Sequence, residues 1–180
     1  KGDSRHVAVT LPGGIELHNF YVPAGGDEPD RKVNDKFGHK LDFLTEMTDM
    51  FGKRRTKTKN KLVLVGDLNI APREHDVWDH KKLLRVVSHT PIEVDHMERL
   101  IASHKWVDVM RVDTPEPEKL YTWWSYRAKD WRAANKGRRL DHIWVSPALG
   151  SAAGNTRILT DARGWERPSD HVPVLMDLVG

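Results

Sequence analysis

Leu62-Val63-Leu64-Val65-Gly66-Asp67-Leu68-Asn69 is the stretch on which the reading of the fold turns. Four apolar residues in a row, all Leu or Val, mark a short strand buried on both faces. Such a strand needs cover from layers on each side. It ends in Asp67, which places a carboxylate at the rim of the sheet, where a cation or substrate can compensate it. Asp67 and Asn69 stand two apart, so on extended backbone their side chains point to one side. An anionic acceptor beside a neutral amide suits a reacting phosphate. The carboxylate takes a proton from water, and the amide donates to developing charge. An Asp-capped turn after a strand explains the same residues structurally and stays open.

Working outward, the chain upstream opens with two strand-like runs, His6–Thr10 and Ile15–Val22, joined by Leu-Pro-Gly-Gly as a hairpin. Phe37, Leu41, Leu44, Met47 and Phe51 recur at spacings of three and four and predict an amphipathic helix over Lys36–Phe51. Downstream, Thr90-Pro91-Ile92-Glu93 is a helix start, with Thr90 as N-cap, Pro91 at the first helical position and Glu93 closing a capping box. Strands are expected at Leu120–Tyr126, Leu140–Val145, Arg157–Thr160 and Val172–Leu178. Helices lying between groups of strands point to sheets covered by helices.

Composition narrows the classes. In 180 residues, 38% hydrophobic and 31% charged, there is a globular core and no apolar run long enough to cross a membrane. Cysteine is absent, so any metal must be held by oxygen or imidazole. Lys53–Lys61 carries six positive charges and Arg127–Arg139 carries six against one negative, while the whole chain totals only +3. The remainder is therefore net acidic. A basic periphery around carboxylates suits a protein that grips phosphates, although solvated basic loops are the plainer reading of Lys53–Lys61.

Four further features carry chemistry. Asp-His occurs four times; Asp79-His80 and Asp95-His96 read as structural or surface pairs, whereas Asp170-His171 stands at a strand entry before Pro173. In Arg138-Arg139-Leu140-Asp141-His142-Ile143, alternation puts Asp141 on an apolar face, where a histidine partner or backbone amides must satisfy it. Tyr121-Thr122-Trp123-Trp124 runs into the basic loop, with one tryptophan expected buried and the other exposed. An exposed Trp123 beside Arg127, Arg132, Lys136 and Arg138 offers a stacking ledge with cations for a nucleic-acid backbone. Tyr21, at a strand end, is either a phosphate donor or a rim aromatic.

The succession Tyr-Val-Pro, Gly-Asp-Leu-Asn, Tyr-Thr-Trp-Trp, Arg-Leu-Asp and Ser-Asp-His resembles the exonuclease III and apurinic/apyrimidinic endonuclease family, from about Val7 to Leu178. The resemblance implies an α/β fold, a four-layered sandwich of two packed mixed β-sheets flanked by helices. It implies Asp67 as the residue handling the attacking water, Asn69 stabilising the phosphorus centre, Tyr21 contacting phosphate and His171 holding a phosphate oxygen, oriented by Asp141. Asp67, Asn69, Asp170 and His171 would surround Mg²⁺, with Mn²⁺ as the alternative. Trp123 and Leu140 match two positions of an apolar pocket for an abasic sugar. The implied activities are a 3′→5′ exonuclease and incision 5′ to abasic sites on double-stranded, damaged DNA, by a monomer in the bacterial cytoplasm. The rival readings are a phosphatase of the same fold acting on an inositol lipid or small phosphoester, and an inactive DNA-binding module.

Three departures from the family pattern matter. Its N-terminal segment, with an Asn and the Glu that is its main metal ligand, has no counterpart before Tyr21. The chain, opening at Lys1 just ahead of a strand, is thus expected to be the C-terminal, larger part of a single domain over residues 1–180. Arg138 stands where an apolar residue is usual, and Ala24 where an amide is common.

Overall fold

The structure, a computed structural model, describes residues 2–54 and 59–179. Part of the basic run, residues 55–58, lies outside them. In chain order the elements are β1 (His6–Leu11), β2 (Ile15–Phe20), α1 (Asp35–Gly52), β3 (Leu62–Asp67), α2 (His80–Leu83), α3 (Pro91–His104), β4 (Val107–Asp108), α4 (Val109–Asp113), β5 (Trp123–Trp124), α5 (Trp131–Ala134), β6 (Gly137–Arg138), β7 (Asp141–Val145), β8 (Ala153–Ile158) and β9 (Val174–Leu178).

A five-stranded sheet of order β1-β2-β3-β7-β4 forms the centre. β2 and β3 run parallel, joined across one face by α1, while the β1–β2 and β3–β7 pairs are antiparallel. The apolar run of β3 is buried as its composition requires, with Leu62 and Leu64 fully enclosed. On one face, Leu64, Phe20 and Trp144 of the sheet pack with Leu44, Phe51 and Met97 of α1 and α3. On the other, Val63 and Val145 meet Ala153, Met176 and Leu178 of the antiparallel β8–β9 ribbon. The α/β architecture of packed sheets flanked by helices is as expected. Among the described residues the sheets are the central one and two of two strands each, β5–β6 and β8–β9, with α1 and α3 covering one face of the central sheet.

Helix ends follow their capping chemistry. Asn34 accepts from the amides of Lys36 and Phe37 at the start of α1. Thr90 and Glu93 form the anticipated capping box on α3, with Pro91 in its first turn. Ile15–Val22 ends at Phe20 and Val172–Leu178 begins at Val174, and two other strands differ more. Leu120–Tyr126 shortens to Trp123–Trp124 because its N–H groups go to separate segments: Leu120 to His75 O, Thr122 to Arg138 O and Trp124 to Asp170 O. The ribbon strand expected from Arg157 to Thr160 instead covers Ala153–Ile158, and Thr160 opens a short 3₁₀ turn.

Buried charges staple the loops above the sheet. Arg139, fully enclosed, donates to Asp108 and Asp76, and Arg111 donates to Asp76 as well. Burial alone would raise the Asp76 pKa; the two guanidinium groups outweigh it and hold the carboxyl below its usual range. The described part of the Lys53–Lys61 run lies at the far end of the sheet. There Arg54 grips Glu16 through both carboxylate oxygens at 2.8 and 2.7 Å.

Candidate active site

β3 and β7 deliver two carboxylates to one edge. Asp67 and Asp141 are register partners at the end of this antiparallel pair, so a single ladder step sets their spacing. Gly66 makes the delivery possible. Its φ is +130°, and a Cβ would stand 2.0 Å from the Phe20 carbonyl oxygen, so no other residue fits.

His171, at the entry to β9, closes the group. Its Nδ1 lies 2.8 Å from Asp141 Oδ2, and its Nε2 lies 3.9 Å from Asp67 Oδ2. Thr122 fixes Asp141 in turn, donating its hydroxyl to Oδ2 at 2.6 Å while accepting from the Leu140 and Asp141 amides. Ligand atoms of Asp67, Asp141 and His171 all fall within 4.8 Å of one another. The two carboxylates are hard oxygen donors that fit a divalent cation.

The protonation chemistry follows from this packing. Burial pushes Asp67 up to about 6, and repulsion from Asp141 adds to the rise, against the pull of His171, the Asn69 amide and Lys40. His171 is pulled down by burial, but the hydrogen bond to Asp141 and the charges of Asp141, Asp67 and Asp170 outweigh that and raise it. The pair is thus a carboxylate of enhanced basicity facing an imidazole biased toward its charged form.

Asn69 does not sit on extended backbone. Its φ is +54°, and it folds back so that its own amide donates to Asp67 Oδ1 at 2.9 Å. The side-chain Nδ2 donates to Asp67 Oδ2 and to the Val22 carbonyl, which occupies both of its hydrogens. The Asn69 side-chain oxygen, not its N–H, is the group left to face an incoming ligand, which alters the donor role expected of it.

Asp170 lies outside the close set, and its Oδ2 accepts from Trp123 Nε1 at 2.9 Å. Tyr21 is 54% exposed at the rim, with the Arg5 guanidinium 4.8 Å above its ring.

A cleft of about 520 Å³ runs beside the carboxylates, lined in part by Asn69, His171, Trp123, Leu140, Arg138 and Lys136. Trp124 is buried, as one of the pair was expected to be, whereas Trp123, expected exposed, is half-buried against the cleft. Arg127 and Lys136 reach the cleft, and Lys136 also lies over the Trp78 ring. Arg132 does not line it: its guanidinium pairs with Asp161 and stacks on Trp131. Arg138 lies over Trp123 and donates to the Val87 carbonyl and the Ser88 hydroxyl; desolvation lowers its pKa.

Motif reading missed Thr122, Ser88 and the buried Lys40–Glu93 pair. Thr122 lay in a quoted motif, but only its position across from Asp141 reveals its part. Lys40 interrupts the apolar periodicity of α1, and that was the sole signal for it.

Comparison with known proteins agrees with this geometry. Residues 41–171 match the model of the endonuclease/exonuclease/phosphatase family. Exodeoxyribonuclease III of Haemophilus influenzae is 31% identical over 166 residues, covering 89% of this chain and 60% of that protein. An AP endonuclease structure from Archaeoglobus fulgidus superposes with a TM-score of 0.87 at 28% identity, over 97% of this chain and 65% of the other. A 3′-5′ exonuclease (NExo) structure from Neisseria meningitidis gives 0.86 at 32% identity, over 98% and 65%. The chain thus spans less than two thirds of the length of each of these relatives. Arrangement and comparison agree that the chain belongs to the endonuclease/exonuclease/phosphatase family, in its exonuclease III and AP endonuclease group.

Proposed function

We propose that this chain carries the hydrolytic centre of a divalent-metal-dependent DNA repair nuclease, acting as a 3′→5′ exonuclease and cutting 5′ to abasic sites. The observation that carries the reading is the Asp67–His171–Asp141 array opening onto a cleft walled by Trp123, Leu140 and cationic side chains. Asp67 would take the proton of the attacking water, its basicity increased by burial. His171, held by Asp141 through Nδ1, would turn Nε2 to a non-bridging phosphate oxygen and donate to it as negative charge grows there. The carboxylates of Asp67 and Asp141 would hold Mg²⁺, which when bound neutralises phosphate charge and stabilises the leaving 3′ oxygen. Trp123 would supply a stacking surface, with Arg127 and Lys136 meeting backbone phosphates.

Double-stranded DNA is favoured over a small phosphoester because the cleft continues into the basic loop at 127–139, which a small substrate would leave unused. Arg138 works against selection of a neutral abasic sugar, so exonuclease action is the stronger arm. The deciding experiment is cleavage of an abasic-site duplex and of an intact duplex end, with Mg²⁺ and with chelator. Metal-dependent cleavage lost in Asp67→Asn with DNA binding retained supports the reading. Binding without cleavage in the full-length protein sinks it, and turnover of inositol phosphates alone would transfer the site to the phosphatases.

A further inference from the structure

We infer that Lys40 is a positioning residue for Asn69, holding the candidate catalytic loop in its left-handed turn from beneath. The inference rests on the nuclease reading of the site and names a part of its machinery outside the cleft.

Lys40 projects from α1 and Glu93 from α3, and both side chains are wholly excluded from solvent. The ammonium has three hydrogens and three acceptors at bonding distance. These are Glu93 Oε1 at 2.5 Å, the Asn69 carbonyl at 2.9 Å and the Ala24 carbonyl at 3.2 Å. The stem has no slack, since a Cβ on Gly25 would come within 2.9 Å of Lys40 Cδ. Glu93 extends the connection by accepting from the Ser88 and Thr90 amides and the Thr90 hydroxyl, while the Ser88 hydroxyl takes Arg138. One buried cation therefore binds the loop at Asn69 to the loop at Ala24. Through Glu93 it reaches the 88–90 loop, and all three loops border the cleft.

Asn69 is the member with most to lose. Its φ of +54° lies in the left-handed region, which asparagine tolerates better than other non-glycine residues, so the hydrogen bonds around it decide where its side chain is held. Asp67 takes its backbone N–H, Asp67 and Val22 take its side-chain N–H groups, and Lys40 takes its carbonyl. Without the ammonium, that carbonyl loses its buried donor. The peptide must then turn to find another, carrying the side chain away from Asp67. A purely structural role does not call for this arrangement. An apolar pair would join α1 and α3 as well as a desolvated ion pair does, but it could donate nothing to the Asn69 carbonyl.

The test compares wild type, Lys40→Met and the double variant Lys40→Met/Glu93→Gln. The glutamine keeps an acceptor for the α3 cap while removing the unpaired charge. Thermal unfolding, steady-state cleavage of an abasic-analogue duplex, and the Asn69 side-chain amide signals of the metal-free protein are followed by heteronuclear NMR and kinetics. The expected result is a lowered Tm in the single variant that the double variant largely restores. In the double variant kcat stays down by about 10- to 100-fold, as misplacement of the groups that orient the Asp67 carboxylate does, with KM little changed and the Asn69 signals displaced. A wild-type kcat in the double variant, or unmoved Asn69 signals, overturns the inference. If wild type cleaves no DNA, the nuclease reading fails, while the Asn69 signals still decide whether Lys40 positions that residue.

Discussion

His171 and Asp141 meet through a single contact of 2.8 Å between Nδ1 and Oδ2, and that contact decides which imidazole nitrogen faces the cleft. With the proton of Nδ1 committed to the carboxylate, Nε2 is directed toward Asp67 and the space beside it. Thr122 locks the carboxylate from the other side, so the orientation does not depend on substrate.

Asp141→Asn should therefore reduce kcat far more than it changes KM, by about 10²-fold or more, the range of a general acid–base contribution. Single-turnover cleavage measures it. In the metal-free protein the same substitution should lower the His171 titration midpoint followed by NMR, because the hydrogen bond and a carboxylate charge that raise it are gone. An unchanged midpoint would contradict the orientation described.

Arg138→Leu should shift preference toward abasic substrates. The guanidinium is desolvated against Trp123 and presents a cation to the cleft wall, whereas an abasic sugar is better met by apolar surface. Replacing it should raise the ratio of abasic incision to exonuclease rate by about 10-fold, in the range of one hydrophobic wall contact. The two rates on matched duplexes are the measurement, and a fall in the ratio would assign Arg138 the opposite role.

Acid should destabilise the fold through His142. This fully buried imidazole is held down to about 4 from 6.5, first by burial and then by the Arg139 charge, while it contacts the Ile70 carbonyl. The folded state resists protonating it, so the unfolded state binds more protons between those values. The stability due to neutral burial is present above pH 6.5 and lost as pH falls toward about 4. Urea midpoints in chelator should fall across that window, and His142→Gln should flatten the dependence. Asp67, raised to about 6 from 3.8, opposes it, its contribution being present at low pH and lost as pH rises through about 6. Asp67→Asn should accordingly steepen the acid loss.

Asp76→Ala should cost about 3–5 kcal/mol of unfolding free energy, the consequence of stranding a buried charge. Arg139 would keep only Asp108, and Arg111 would lose both its bonds to Asp76. Urea denaturation gives the value, and a loss under about 1 kcal/mol would mean that water replaces the carboxylate.

Much of this was legible from local pattern, because the cause of each feature was itself local. Leu62–Val65 announced a doubly covered strand by composition, and Thr90-Pro91-Ile92-Glu93 announced a helix start by the reach of one side chain to one amide. The strand expected at Leu120–Tyr126 failed because its backbone partners come from residues 75, 138 and 170, which no local window contains. The extended geometry expected at Asn69 failed for a related reason. A left-handed turn there is stabilised by Val22 and Lys40, far away in sequence.

Asp67, Asn69, Asp141, Asp170 and His171 were identifiable as chemical candidates in the linear sequence, since residue type and motif spacing travel with the chain. Which of them lie together was decided only in three dimensions. The β3–β7 register set Asp67 opposite Asp141, and the entry to β9 set His171 between them. Asp170, one residue away, was drawn off to Trp123. Hydrogen bonds and charge coupling act over a few ångströms, and a spacing of 74 or 104 residues along the chain becomes such a distance only when strands pair. Side-chain identity is a property of the sequence; mutual distance, and with it proton affinity, belongs to the fold.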